Sequence, residues 1–292
     1  MDVLKLKKAN CKNCYKCIRN CPVKAIEVKN HQAQIIDSEC ILCGNCILVC
    51  PQNAKEVRND VGKVKNLIRS GKKVIASVAP SFISIYNVAS FGAFKECLKQ
   101  LGFADAFETA EGAFVVKTEY EKIVAEHTQD TIISSCCPTI VDLIQKHYPH
   151  NIKYLAPVLS PMQAHAKIIK ERETDAKVVF IGPCISKKGE CEKYPGWADT
   201  DLTFDELNGW MEERRIEINF KEPEEEPKYL SRFFPVAGGI IKTMNTDTDY
   251  SYVSIDGVEN AINALNEIET GKLHQCFVEI SACKGSCING PA

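Results

Sequence analysis

Apolar and polar positions follow two regimes along the chain. In the first, Lys24-Ala25-Ile26-Glu27-Val28 and Gln34-Ile35-Ile36 read as short strands around a turn at Asn30-His31, and Val61 to Lys73 reads as a short basic helix ended by Gly71. From residue 73 onward, apolar runs alternate with amphipathic stretches. Val74 to Ala79, Thr131 to Ser134, Val178 to Ile181 and Phe277 to Ile280 have the continuous apolar character of buried strands. Phe94 to Leu101 has helical spacing and stops at Gly102, and Thr203 with Glu206 three residues later forms the capping box of another helix. This alternation predicts an α/β architecture with mostly parallel sheets flanked by helices. Lys221 to Lys228, with four glutamates and two prolines, reads as a solvated loop.

Composition narrows the function classes. A chain of 292 residues suggests about two domains, and 45% hydrophobic with 25% charged residues is ordinary globular usage. A net charge of −2 gives no electrostatic case for nucleic acid or an anionic membrane. No apolar run approaches the roughly 18 residues of a membrane span. Met1 to Asn10 lacks the apolar core of an export signal, which points to a cytoplasmic protein. The abnormal figure is 16 cysteines. Without export, metal or redox chemistry is the better account of them than a disulfide scaffold.

Eight of the cysteines form two copies of one run: Cys11-x2-Cys14-x2-Cys17-x3-Cys21-Pro22 and Cys40-x2-Cys43-x2-Cys46-x3-Cys50-Pro51. This is the ligand run of bacterial two-cluster ferredoxins, in which the fourth cysteine serves the other cluster. Cys11, Cys14, Cys17 and Cys50 are thus expected to hold one 4Fe–4S cube, and Cys40, Cys43, Cys46 and Cys21 a second. Zinc sites rarely crowd cysteines this way, and disulfides among them would be strained. Residues 1–58 form a small ferredoxin-like α+β domain whose clusters must organise the fold, because so short a unit buries little core. Residues 59–72 follow as a linker helix, and 73–292 as the larger domain.

Most other cysteines follow strand ends, where open parallel sheets place their sites. Cys136 and Cys137 follow the 131–134 run, Cys184 the 178–181 run, and Cys283 and Cys287 the 277–280 run. Cys137, Cys184, Cys283 and Cys287 would make a third cube. Cys97 and Cys276 read as inert core thiols. Cys191 stays unassigned, and His127, His165 and His274 show no ligand spacing and receive no role.

These motifs resemble the FeFe-hydrogenases over nearly the whole chain. T-S-C-C-P of that family matches Ser134-Ser135-Cys136-Cys137-Pro138 except at its first residue. P-C-x-x-K-x-x-E matches Pro183 to Glu190, and E-x-x-A-C-x-x-x-C matches Glu279 to Cys287. Ala79-Pro80-Ser81 and Ala237-Gly238-Gly239 resemble segments lining the family's active site. The resemblance implies a two-lobed hydrogenase domain and an H-cluster, a 4Fe–4S cube joined to a diiron unit bearing CO, cyanide and an azadithiolate. It implies that Cys137, Cys184, Cys283 and Cys287 hold the cube, with Cys287 bridging to the diiron unit. Cys136 would relay protons, and Lys187 would donate a charge-assisted hydrogen bond to a cyanide. The implied partners are H2, protons, a redox partner such as ferredoxin, and maturation proteins that load the diiron unit.

The departures from the family pattern lie around this site. Gly182 and Ser281 stand where methionines are usual, Met162 where a glutamine is expected, and Ile140 where a tryptophan is common. Together with Pro183 these residues tune cluster potential and ligand orientation. The two glutamates of the family's proton path fall at Tyr120 and Ile123, so Glu119, Tyr120 and Glu121 become the candidates for the next proton station. Leu155 to Leu159 carries no hydroxyl. The chain stops five residues past Cys287, where the family reads G-G-G-Q-P and continues. The expectation is therefore a C-terminally truncated or unusually short member, of low turnover and sensory type, with a signalling output domain beyond residue 292. An ordinary metabolic hydrogenase and a non-catalytic relative lacking the diiron unit are the alternatives.

Overall fold

The computed structural model describes residues 3–86, 90–218 and 229–292. The charged stretch 221–228 lies outside the described residues. The chain begins with β1 (Leu4–Leu6), α1 (Lys16–Asn20), β2 (Ile26–Lys29), β3 (Gln32–Ile35), α2 (Asn45–Leu48) and β4 (Lys55–Val57). β1 pairs antiparallel with β4, and β2 with β3. Asn30 and His31 join the hairpin with φ of 51° and 56°, the left-handed pair that matches strand twist in a two-residue loop. The small core of this segment mixes Val3, Leu4, Ala25, Ile26, Ala33 and Leu42 with Cys17, Cys21 and Cys46. Ile185, from the larger part of the chain, completes it.

α3 (Val61–Arg69) leads out, and its buried Val64 packs on the next sheet. There follow β5 (Val74–Val78), α4 (Phe82–Tyr86), α5 (Phe91–Gln100), β6 (Asp105–Glu108), α6 (Ala110–Glu126), β7 (Thr131–Ile133), α7 (Pro138–His147), α8 (Pro161–Arg172), β8 (Lys177–Gly182), α9 (Ser186–Lys193), β9 (Thr200–Thr203), α10 (Phe204–Arg214), α11 (Gly239–Thr243), β10 (Ser251–Asp256), α12 (Val258–Glu269) and β11 (Cys276–Ser281). The strands form two wholly parallel sheets, ordered β6-β5-β8-β9 and β10-β11-β7. Every residue of β5 and β11 is buried, as central strands covered on both faces require. In the first lobe, Leu98 of α5, Ile169 of α8 and Leu207 of α10 share a core with Val74, Val178 and Ile181. In the second, α6 packs through Val116 and Tyr120 onto Ile132 and Phe277, while α7 and α12 cover Ile133, Val278 and Ile280.

The expected α10 capping box is present. Thr203 N donates to Glu206 Oε2 at 2.6 Å, and Glu206 N to Thr203 Oγ1 at 3.2 Å. Glu206 also accepts from Asp60 N at 2.5 Å and lies 2.8 Å from the fully buried Lys188 ammonium. Lys188 further reaches Asp60 at 3.0 Å and Asp201 at 3.6 Å. A buried cation in a nest of carboxylates therefore joins the N-terminal segment to α9 and α10. Among the described residues no helix is long and apolar enough to cross a membrane.

Candidate functional site

The crosswise ligand expectation has a direct geometric counterpart. One cavity of the N-terminal segment is lined by Cys21, Cys40, Cys43 and Cys46, and a separate one by Cys11, Cys14, Cys17 and Cys50. The third cysteines, Cys17 and Cys46, ride on α1 and α2, which start from left-handed residues, Tyr15 (φ 56°) and Gly44 (φ 77°). Burial, reinforced by neighbouring thiols, pushes Cys43 up to about 11 and Cys46 up to about 12. These thiols release their protons only to a metal that outcompetes them. Among the described residues, no three His, Cys, Asp or Glu groups gather as a single metal ion requires. Thiols spaced around a cavity suit a multi-iron group instead.

The strand order of the first sheet reverses between β5 and β8, so a crevice opens beyond their carboxyl ends. Ala79-Pro80-Ser81 leaves β5 and Pro183-Cys184 leaves β8 at this point. The ends of β7 and β11 meet them from the other lobe, locked together by Ser134, whose Oγ accepts from Ile280 N at 3.1 Å. Between the lobes lies a cavity of about 110 Å³. Its walls include Ala79, Pro80, Ser81, Cys136, Cys137, Met162, Pro183, Cys184, Lys187, Ser281 and Cys287. A turn through Gly285 (φ 75°) and Ser286 (φ 66°) brings the chain back at Cys287. Cys283 is set off from this wall, and burial, reinforced by Cys184, Cys287 and Cys137, pushes its thiol well above the usual range. Gly44, next to Cys43, packs against Pro291 and Ile185, and Cys43 and Cys137 border one core cluster, so one N-terminal thiol set lies beside the strand-end set. Cys137 caps α7, with Pro138 as the first helical residue. Gly238 and Gly239 sit one layer back, with amides turned toward the Glu279 carboxylate.

Lys187 is buried and ion-paired with Glu190 at 2.6 Å. Glu190 and the neighbouring thiols outweigh desolvation and keep its ammonium charged. Cys136 Sγ lies 3.2 Å from Tyr120 Oη. That phenol accepts from Ser135 N at 2.8 Å and stands 3.1 Å from Ser135 Oγ, which donates to Val158 O at 2.7 Å. Burial drives Cys136 up to about 12 and Tyr120 well above its usual range, so both stay protonated at neutral pH. Of the three proton-station candidates, Tyr120 alone touches Cys136. Glu119 pairs with Lys122 at 2.6 Å on the surface, and Glu121 pairs with Lys117 at 2.9 Å and accepts from Asn245 N. Positions one residue either side of Tyr120 are rotated about 100° around the helix and point elsewhere.

Two groups on or near this wall were given no site role by the sequence reading. Glu279 is buried on the cavity wall and pushed up to about 7 by desolvation, against the amides of Gly238 to Ile241. Its signal was a lone carboxylate in an apolar strand, two residues from Ser281 and so on the same face. His165, assigned no role, is fully buried between α6 and β5 groups.

A thiol-lined cavity closed between two parallel-sheet lobes, with two further thiol sets leading up to it, is the scaffold of an iron–sulfur redox protein. Residues 72–291 match the family described as iron only hydrogenase large subunit, C-terminal domain, and the chain belongs to that family. Residues 4–51 match a 4Fe-4S dicluster domain. Iron hydrogenase 1 of Clostridium pasteurianum is 24% identical over 78% of this chain and 51% of its own length. The cytosolic Fe-S cluster assembly factor NAR1 of Encephalitozoon cuniculi is 27% identical over 59% of this chain and 55% of its own. The chain thus spans about half the length of these curated relatives. A solved structure of FeFe-hydrogenase HydA1 from Chlamydomonas reinhardtii superposes with a TM-score of 0.61 at 18% identity, covering 80% of this chain and 84% of that one, and shares the fold.

Proposed function

We propose that the chain is an FeFe-hydrogenase that interconverts H2 with two protons and two electrons, in three parts: a dicluster ferredoxin domain (1–58), a linker helix (59–72) and an H-cluster domain (73–292). In this reading Cys11, Cys14, Cys17 and Cys50 hold one cube, Cys40, Cys43, Cys46 and Cys21 the next, and Cys137, Cys184, Cys283 and Cys287 the third. When bound, the diiron unit supplies heterolytic cleavage of H2. The protein's own groups then do the rest. Cys136 holds and releases a proton at Sγ, in contact with Tyr120 Oη. Lys187 offers a fixed positive charge to an anionic ligand, and the apolar wall around Met162 and Pro183 keeps bulk water out. The shared border of Cys43 and Cys137 on one core cluster supports electron exchange between the middle and inner cubes.

The observation that carries the reading is the single cavity shared by Cys136, Lys187 and three of the four thiols assigned to the inner cube. Met162 and Ser281 on the wall, with Gly182 packed against Phe180 and Ala79 beside it, favour a slow, sensory member, which we place in the cytoplasm with a ferredoxin-like redox partner and an output domain elsewhere. Likeness to NAR1 supports a second reading, an iron–sulfur protein without the diiron unit. Hydrogen evolution from a reduced viologen separates the two. The chain made with maturation proteins should evolve H2 and its Cys136→Ala variant should lose at least ~10²-fold, the usual scale for one acid–base group. A matured chain with no turnover would favour the NAR1-like reading.

A further inference from the structure

A second buried file of polar groups, sharing no residue with the Tyr120 contacts, reaches the cavity. Thr109, on the cavity wall, places Oγ1 2.8 Å from Ser77 Oγ. Ser77 Oγ is in turn 2.7 Å from His165 Nδ1. On the far side of the ring, Nε2 lies 3.5 Å from Glu111 Oε2. Glu111 is gripped by Arg172 at 2.6 and 3.0 Å, and the Arg172 side chain is 57% exposed. Ser77, Thr109 and His165 are buried, so the file runs from the cavity wall to solvent through the interior of the first lobe. Gly112 makes the last link. A Cβ there would stand 2.5 Å from Pro161 O and 2.6 Å from His165 Cβ, so α6 meets α8 backbone to backbone and sets His165 against Glu111.

Charges around the ring fix the direction of the bonds. Glu111 on α6, Glu108 at the end of β6 and Arg172 on the ring's own helix face it; desolvation, with Arg172 acting in the same direction, outweighs the two carboxylates and holds the imidazole below its usual range, neutral at pH 7. Glu111, held down to about 2 by His165 and Arg172, is a carboxylate and only accepts. The ring proton therefore belongs on Nε2, Nδ1 accepts from Ser77, and Ser77 accepts from Thr109. Every donor points outward. Nε2 has no hydrogen-bond partner of good geometry, and a small shift of the Glu111 carboxylate closes its 3.5 Å gap. The Ser–His–Glu order is that of a hydrolytic triad, but Ser77 Oγ is buried against Thr109, where no substrate carbonyl reaches it.

We propose that Thr109, Ser77, His165 and Glu111 form a proton conduit between the cavity and solvent that does not pass through Cys136. The proposal rests on the hydrogen chemistry proposed above. A proton leaving the cavity binds Thr109 Oγ1 as the Thr109 hydroxyl proton passes to Ser77 Oγ. The Ser77 proton passes to His165 Nδ1, and the Nε2 proton to Glu111 and then to water. No electron moves. The file is left pointing inward, able to carry one proton back. A second outward transfer waits for the hydroxyls and ring to turn, and that reset sets its throughput.

Two arms test it. In the full holoprotein labelled with 15N-histidine, NMR should show His165 neutral at pH 7 with the proton on Nε2, and Ser77→Ala should shift Nδ1 alone. An imidazolium at pH 7, or a proton on Nδ1, overturns the conduit. In the matured chain, Thr109→Val and Glu111→Gln should each lower the residual turnover of Cys136→Ala by about 10-fold, because the conduit then carries the protons that Cys136 no longer moves. Iron, sulfide and the CO and cyanide infrared bands should stay unchanged, and the same substitutions should change turnover little while Cys136 is present. Double variants as fast as an active Cys136→Ala refute the conduit alone, whereas an inactive matured parent refutes the hydrogenase reading beneath it.

Discussion

Tyr120→Phe removes one oxygen and leaves a ring that still packs on Phe277, 5.2 Å away between centroids. No cavity larger than that oxygen opens, so the cost is one of hydrogen bonding. Tyr120 is fully buried, and its Oη accepts from Ser135 N at 2.8 Å. Without it that amide is stranded, at about 1–3 kcal/mol. Ser135 Oγ keeps its bond to Val158 O, and Cys136 Sγ loses a 3.2 Å partner. A loss of about 2 kcal/mol corresponds to a fall in melting temperature of about 4–8 °C for a domain this size. If the phenol also moves protons for Cys136, turnover falls by ~10²-fold while cluster spectra persist. The double variant with Cys136→Ala should then be no slower than Cys136→Ala alone, because two members of one relay do not add. Anaerobic melting and hydrogen evolution on the four proteins of this cycle decide it. A variant that melts early but turns over normally would leave Tyr120 a structural role only. Full additivity with Cys136→Ala would put the two on separate routes.

Lys188→Met should cost about 3–5 kcal/mol, because it removes the buried cation shared by Asp60, Asp201 and Glu206 and leaves those carboxylates facing one another; an unchanged denaturant midpoint would contradict that. Asp201 is pushed up to about 7 by desolvation, so its contribution to stability is present at low pH and is lost as pH rises from about 4 through 7. Asp201→Asn should accordingly gain on the parent between pH 5.5 and pH 8, and a difference in midpoint independent of pH would overturn the reasoning. Cys283→Ala should lower iron in the chain made without maturation proteins from about twelve to about eight atoms, by loss of one four-thiolate cube. Twelve irons retained would remove Cys283 from the ligand set.

What could be read in the sequence was what local spacing encodes. Strands β5, β7, β8 and β11 stand out as apolar runs because they are buried. β9 (Thr200–Thr203) was hidden by its polar side chains, although all four residues are buried, with Thr203 capping α10 and Asp201 facing Lys188. β10 is half-exposed along an edge and carries no clear pattern. The thiol sets were legible because each ferredoxin run is local and each cysteine of the third set follows a strand. The His165 file was not, since its links join residues 32 and 88 positions apart that only the packing of α6 and α8 on β5 brings together. Likewise the choice of Tyr120 over Glu119 and Glu121 depends on the rotation of α6 against β7, which an ungapped comparison cannot fix to one residue.

The central claim is that the cavity between the lobes carries a diiron unit on the thiol set at its wall. An infrared spectrum of the chain, produced with maturation proteins and kept anaerobic, tests it most directly. The account predicts sharp CO and cyanide stretching bands that vanish in Cys287→Ala while both N-terminal cubes remain. A spectrum empty in that region, from protein whose three cubes are full, would contradict it.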